Sequence, residues 1–257
     1  MIISAARFHT CSLLIASGLC VGACQAASNI LIWPIDPYLP PDEKAAELWI
    51  QNQGTTPTTM QVRVVRWRQE EGFERYVAQQ DVAASPPIVR IGGGKKQLIR
   101  LISQAQVPMG VEQAYRVVVD EIPQPQDNSK PQLGLKLQMR YSIPLFVYGQ
   151  GIETQRSGAH HAFVNPARLS WRLAQENGKP AIEIINNDEV HARISKVSVR
   201  QGGQQHTLAD GLWGYVLPRS SRLFPLPAGI ASPTELSASL NARDSRWLAT
   251  PRQADIR

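Results

Sequence analysis

Residue types that often carry catalysis occur in this chain, but not in catalytic patterns. The glycine–lysine run at residues 92–96 (GGGKK) lacks the GxxxxGK[ST] spacing of a phosphate loop, and no helical pattern follows it. We expect a glycine-rich hairpin turn there. The chain has no GxSxG motif, and its carboxylates are scattered rather than paired. We therefore expect no catalytic residues and no enzyme activity.

The histidines do not form a metal-binding pattern either. His160 and His161 are adjacent, whereas His191 and His206 stand far along the chain, and no HExxH motif occurs. Zinc sites need about four ligands. We expect solvated histidines, no metal site and no cofactor.

One basic residue has an unusual setting. Arg116 stands within an apolar run, residues 113–119 (QAYRVVV), where a guanidinium is costly unless it is paired or reaches water. It could lie on the outer face of a strand, opposite Tyr115, Val117 and Val119. Alternatively it could bind a carboxylate, since arginine donates two parallel hydrogen bonds to that group. We favour a carboxylate-binding role.

The longest strand pattern is residues 132–149 (QLGLKLQMRYSIPLFVYG). Apolar side chains occupy every second position, and a period of two places them on one face of a strand. Pro144 has no N–H and favours a sheet edge, a bulge or a bend. A long apolar edge strand promotes aggregation unless something covers it. The apolar positions are Leu133, Leu135, Leu137, Met139, Tyr141, Ile143, Leu145 and Val147.

The N-terminus predicts export. Arg7 precedes an apolar segment at residues 11–23, and residues 24–26 (CQA) form a small-x-small cleavage site, the pattern of a secretory signal peptide at residues 1–26. The alternative is a lipoprotein box at residues 21–24, which would leave a lipidated Cys24. All three cysteines lie in this leader, so we expect no disulfide framework in the processed chain.

The formal net charge of the 257-residue chain is +6. We expect most of these charges to lie on a solvated surface. Where the positive charge of an exported protein has a binding role, it favours carboxylates or acidic partner surfaces. We expect neither a nucleic-acid partner nor a small-molecule substrate.

The remaining chain predicts an all-β protein of two immunoglobulin-like β-sandwiches. We expect a first domain at residues 27–149, a polar, glycine-containing linker at 150–162 and a second domain at 163–257. Strands are predicted in the first domain at residues 30–35, 46–51, 60–68, 88–91, 97–102, 113–122 and 133–147. In the second they are predicted at 167–173, 181–185, 192–199, 205–208, 214–217, 222–226 and 235–240.

Several short segments, in this order and spacing, resemble the periplasmic pilus-assembly chaperones of the chaperone–usher pathway. The details are most similar to the archaic branch of that family. The segments are residues 30–35 (ILIWPI), 48–52 (LWIQN), 85–87 (SPP), 115–123 (YRVVVDEIP), 143–148 (IPLFVY) and 214–218 (GYVLP).

The resemblance implies a fold and a mechanism. The two domains would be set in an L or boomerang with a cleft between them. Pilus subunits are incomplete sandwiches, and the chaperone would lend them its own strand by donor-strand complementation. The subunit would then pass to an outer-membrane usher, with no cofactor required. The residues that match the family's donor motif are Leu133, Leu135, Leu137 and Met139.

The chain departs from the family pattern at the carboxylate anchor. Better-known branches hold the subunit's C-terminal carboxylate with an arginine and a lysine, and those positions are Asp36 and Pro144 here. Neither can bind a carboxylate. Arg116 is the first candidate to replace them, with Arg100 and Arg140 as the others.

Two other functions are compatible with these strands. An exported adhesin or structural β-sandwich subunit would use the alternating strand to self-assemble. A carbohydrate-active β-sandwich enzyme would need paired carboxylates near aromatic side chains in a cleft.

Overall fold

The computed structural model describes residues 29–123, 138–154, 162–243 and 246–252. The described chain is built of β-strands, with one short 3₁₀ turn at Pro166–Arg168. The all-β fold class predicted from the sequence is confirmed. Among the described residues, no helix is long and apolar enough to cross a membrane.

The described residues of the first half of the chain form ten strands in two sheets. One sheet has the order β1-β3-β8-β6, and the other has the order β2-β10-β9-β4-β5, with β7 also pairing with β4. The strands are β1 (Ile30–Trp33), β2 (Tyr38–Leu39), β3 (Ala45–Asn52), β4 (Thr58–Glu70), β5 (Phe73–Val77), β6 (Val82–Ser85), β7 (Ile88–Ile91), β8 (Lys96–Ser103), β9 (Glu112–Ile122) and β10 (Arg140–Tyr148).

The described part of the second half forms seven strands in two further sheets, with the orders β11-β12-β15 and β14-β13-β16-β17. Residues 205–208 and 214–217 were predicted as separate strands. They belong to one long strand, because bulges between β13 and β14 absorb the change of register. The strands are β11 (Leu169–Glu176), β12 (Lys179–Asn186), β13 (Ala192–Gln201), β14 (Gln204–Val216), β15 (Ser220–Pro225), β16 (Glu235–Leu240) and β17 (Arg246–Ala249).

The turn at residues 92–95 was expected to close a hairpin, and this expectation was wrong. It joins β7 to β8, which lie in different sheets. Gly93 passes so close to the backbone of Thr55 that a Cβ would overlap with the Thr55 carbonyl. The glycines therefore allow a tight crossing between the two sheets.

The two faces of β9 and β10 belong to two different hydrophobic clusters. On β9, Tyr115, Val117 and Val119 face the core of the first sandwich. On β10, Phe146 and Tyr148 face the other way and join the cluster that fills the second sandwich. A strand buried on both faces reads as continuously apolar rather than alternating. The sheet that contains β9 and β10 is therefore the wall shared by the two sandwiches.

Candidate functional site

The site forms along β10 because this strand has an incomplete set of neighbours. On one side it pairs with β9 over its whole length, from Arg140 to Tyr148. On the other side β2 pairs only with Phe146 and Val147. Among the described residues, the remainder of that side has no strand partner. Pro144 lies on this part, as its missing N–H requires.

Three of the four donor-motif residues, Leu133, Leu135 and Leu137, lie outside the described residues. The fourth, Met139, is described, and 41% of its surface is exposed. The Met139 carbonyl accepts a hydrogen bond from the Glu121 N–H at 3.4 Å, which continues the β9 pairing beyond the start of β10. The apolar side chain of Met139 thus remains exposed just before β10, whereas β10 itself is buried from residue 143 onward.

Arg140 is tied to its own sheet. Its Nε donates to Asp120 at 2.5 Å, and Arg63 donates to the same carboxylate at 2.6 Å. Burial alone would raise the pKa of Asp120, but hydrogen bonds from Arg140 and Arg63 outweigh burial and lower it. The Arg140 side chain is 70% exposed. Its contact with Asp120 secures the register at the first residue of β10.

Arg116 faces the second sandwich. It stands opposite Pro144 in the β9–β10 register and opposite Val65 on β4. Its guanidinium carbon lies 3.7 Å from the ring centroid of Trp67 and 5.6 Å from that of Tyr215, a residue of the second sandwich. Arg116 therefore points away from the core of the first sandwich, as the outer-face interpretation required. That outer face of β9 is not open to solvent here, because the second half of the chain covers it.

The guanidinium of Arg116 retains unused donor capacity. Its Nε is buried and has no hydrogen-bond partner among the described residues. Burial lowers the pKa of Arg116, and the nearby Tyr76, Glu74 and Tyr215 partly offset that effect. A buried cation with a free donor is a site at which a carboxylate would be strongly favoured.

Further polar groups surround Arg116. Glu74 on β5 pairs with Arg222 on β15 at 2.9 Å, which joins the two sandwiches. Tyr76 donates to Glu74, and burial together with this contact raises the pKa of Tyr76 to about 12. Burial also raises the pKa of Tyr215. Both phenols therefore stay protonated, and the single hydroxyl proton of Tyr76 is already donated to Glu74.

Gln69 on β4 links the sandwiches beside this site. Its side chain donates to the Tyr215 carbonyl at 2.8 Å. It also accepts from the Leu217 N–H at 2.8 Å and from the Ser220 hydroxyl at 3.1 Å. A side chain that satisfies three groups of the second sandwich fixes its position relative to β4.

Glu112 and His191 form a second link. The Glu112 carboxylate accepts from the His191 N–H at 3.2 Å and lies 2.9 Å from His191 Nδ1. The imidazole stacks on the ring of Phe146, with 3.6 Å between the two ring centroids. The prediction that His191 is solvated was wrong: only 5% of the residue is exposed, because it packs where β10 meets the second sandwich.

The other candidate anchors are placed away from Arg116. Arg100 is exposed on β8, in the opposite sheet of the first sandwich, across from Glu47.

His160 and His161 lie outside the described residues. Among the described residues, no group of three or more histidine, cysteine, aspartate or glutamate side chains could hold a metal ion.

The aromatic and polar partners of Arg116 were not found from the sequence. Trp67 stands on β4, Glu74 on β5 and Tyr215 on β14, far from Arg116 along the chain. The alternation of β4 indicated only that Trp67 faces one side of a sheet. That the second sandwich covers this side is a long-range contact without a local signal.

Comparison with known proteins identifies this arrangement. Residues 38–153 match the model of the N-terminal domain of PapD, described as a pili and flagellar-assembly chaperone. A chain of the CsuC–CsuE chaperone–tip adhesion subunit complex, from archaic chaperone-usher Csu pili of Acinetobacter baumannii, is 31% identical. The match covers 88% of this chain and all of the other, with a TM-score of 0.69. The chain belongs to the family of pilus-assembly chaperones.

Two more distant relatives agree. The uncharacterized fimbrial chaperone YhcA of Escherichia coli K12 is 27% identical over 187 residues, which are 70% of this chaperone and 71% of YhcA. The E. coli chaperone DraB shares the fold, with 18% identity, a TM-score of 0.59 and coverage of 88% and 98% of the two chains.

Proposed function

We propose that this chaperone acts in the periplasm, where it binds a newly exported pilus subunit and delivers it to an outer-membrane usher. We also place it in the archaic branch of the family. The archaic origin of the CsuC–CsuE complex supports the branch, since that match spans both sandwiches at 31% identity. The role is not enzymatic: binding, shielding and release of the subunit need no bond to be made or broken.

The donor residues are Leu133, Leu135, Leu137 and Met139. The observation that carries this proposal is the one-sided pairing of β10, whose free edge ends next to the exposed Met139. A subunit groove could pair with this edge and accept the alternate apolar side chains. Burial of each such side chain contributes about 1.5–3 kcal/mol. Several of them offset the entropy cost of ordering the segment.

Arg116 is the proposed anchor for the subunit's C-terminal carboxylate. It stands across from Pro144, at the level of β10 where the family pattern would provide a lysine. Trp67 contacts the guanidinium on one side and restricts the Arg116 side chain before binding. Less side-chain conformational entropy is therefore lost when a carboxylate binds. Arg140 is already bound to Asp120, and Arg100 lies in the other sheet, which makes both weaker candidates.

The domain plan extends the same proposal. Residues 1–26 form a cleavable signal peptide, 27–149 a chaperone domain with the donor strand, 150–162 a linker and 163–257 the second domain. The described sheets support this division, because no strand of residues 30–148 pairs with a strand of residues 169–249. The leader lies outside the described residues.

Co-expression with a subunit from a neighbouring gene tests the donor strand. Leu135→Asp with Leu137→Asp should abolish recovery of the subunit, because two charges would enter its apolar groove. The matched control, Gln132→Asp with Gln138→Asp, adds the same charge on the opposite strand face and should preserve recovery. Unchanged recovery with the leucine variant would reject the donor-strand proposal. Polymerisation of the purified chaperone alone would instead favour the self-assembling subunit.

A further inference from the structure

A basic pocket lies on the second sandwich, on the outer face of the sheet β14-β13-β16-β17. Its volume is about 380 Å³. Four cationic side chains line it, Arg193, Lys196, Arg243 and Arg246, against one carboxylate, Asp210. Such an excess of positive charge within one concavity attracts anions, because the low-dielectric walls concentrate the field.

Two residues that line the pocket, Lys196 and Ala242, have a left-handed backbone conformation. Lys196 has a φ of 50° at the bulge where β13 changes register against β14, and Ala242 has a φ of 52° at the β16–β17 turn. Left-handed backbone is costly for residues other than glycine and is often found at functional sites. Arg246 fixes the bulge by donating to the Lys196 carbonyl at 2.8 Å and to the Ser237 hydroxyl.

The charges of the pocket are not neutralised by the described residues. None of the four cations lies within 4.0 Å of a described carboxylate oxygen; Asp244 is outside that part of the chain. Arg243 is positioned by an aromatic ring instead, with its guanidinium carbon 4.1 Å from the ring centroid of Phe163. Arg246 is occupied by its hydrogen bonds, so Lys196 and Arg243 are the cations best suited to meet a ligand.

Arg193 lies between the pocket and the residues that surround the proposed anchor. Arg193, which lines the pocket, stands opposite Tyr215 in the β13–β14 register and contacts its phenol. The Tyr215 ring in turn lies 5.6 Å from the Arg116 guanidinium. A subunit held at Arg116 would thus have the basic pocket nearby, beyond Tyr215 and Arg193.

We propose that this pocket binds carboxylate groups, and that acidic side chains of the bound pilus subunit supply them. This inference rests on the proposed function, since it assigns the second sandwich a part in holding the subunit. Two or more cations around one cavity favour a ligand with clustered carboxylates over a single one.

Citrate, a tricarboxylate, is the first probe, titrated into the purified chaperone by isothermal calorimetry at low ionic strength. Lys196→Gln with Arg243→Gln should weaken citrate binding at least tenfold. The control, Lys179→Gln with Arg252→Gln, removes the same charge from exposed residues on the other side of the second sandwich and should leave binding unchanged. Equal circular dichroism spectra and melting temperatures confirm that all variants are folded.

The subunit complex is the second readout, measured as the dissociation constant with the same variants. The pocket variant should bind the subunit about five- to tenfold more weakly at low salt, with a smaller difference at high salt. Equal citrate binding by the two double variants would reject the anion site. Citrate binding that depends on the pocket, together with unchanged subunit affinity, would reject the subunit as its source. Complete failure of the wild-type chaperone to bind the subunit would reject the proposed function. It would not reject the proposal that the pocket binds carboxylate groups, which the citrate titration tests separately.

Discussion

The guanidinium carbon of Arg116 lies 3.7 Å from the ring centroid of Trp67, at the wall shared by the two sandwiches. A cation over an indole face is stabilised by the ring's quadrupole without using its N–H donors. The contact thus offsets part of the cost of burying the charge and leaves the hydrogen-bonding edge available. In this way β4 positions a binding group that is carried on β9.

Replacement of Arg116 by alanine should abolish recovery of the subunit complex while the chaperone stays folded. Arg116→Lys should retain only part of the binding, because an ammonium cannot form two parallel hydrogen bonds to a carboxylate. The measurement is the yield of co-purified subunit. Arg100→Ala, at an exposed arginine of the opposite sheet, is the matched control and should bind normally. Normal binding by Arg116→Ala would remove Arg116 from the site.

Gln69→Ala should destabilise the joint between the sandwiches. It removes an acceptor for the Leu217 N–H and a donor for the Tyr215 carbonyl, both of which are buried. Loss of these partners should cost about 1–3 kcal/mol in the free energy of unfolding. Urea denaturation measures this cost.

Gln97→Ala provides the comparison for Gln69. Among the described residues, the Gln97 side chain bonds only to the carbonyl of its neighbour Leu98. Its effect should stay within about 0.5 kcal/mol. Equal stability of the two variants would show that Gln69 does not secure the joint.

The strands of both sandwiches were largely predictable, because their signal is local. The segments at 88–91 and 235–240 match β7 and β16 in full. β5 was missed because its residues are mostly exposed and lack clean alternation, and β2 is only two residues long. Secondary structure follows the pattern of neighbouring residues, and short or exposed strands carry little of that pattern.

The site was predictable only in part, for a different reason. The apolar setting of Arg116 singled it out, since an unpaired guanidinium in such a strand requires an explanation. Its partners Trp67 and Tyr215, and the burial of His191, depend on how the second sandwich packs on the first. Contacts between distant segments leave no periodic trace in the chain.

Gly149→Ala should strongly destabilise the end of β10. A Cβ at this position would overlap with the Pro108 carbonyl and approach the Val111 oxygen to 3.2 Å. The Gly149 N–H also donates to the Val111 carbonyl at 2.9 Å, so the strand cannot move away without losing that bond. We expect a cost of about 3 kcal/mol, within the range for overpacking, measured by thermal and urea unfolding.

Gly211→Ala is the matched control for Gly149, because a Cβ there would meet nothing within 4 Å. This variant should be neutral or slightly stabilising, since alanine restricts the unfolded chain. Similar melting temperatures for the two variants would contradict the close packing of Gly149 against the loop at residues 108–111.

The contribution of Asp120 to stability should depend on pH. Burial opposes ionisation of this carboxyl, but hydrogen bonds from Arg140 and Arg63 outweigh burial and place its folded pKa below the ordinary 3.8. A group with a depressed folded pKa stabilises the protein fully above its unfolded pKa, and this stabilisation is lost as the pH falls through the folded pKa. Asp120→Asn should therefore cost about 0.5 kcal/mol at pH 7, the scale of exposed ion pairs.

The cost of Asp120→Asn should be unchanged at pH 5 and should shrink as the pH falls below 3.8, as measured by urea unfolding at each pH. Ser142→Ala, at an exposed position on β10 without a titrating group, should show the same effect at every pH. A cost that persists at the lowest pH would mean that Asp120 acts through shape rather than charge. In that case strand pairing alone would fix the position of Arg140 and the register of β10.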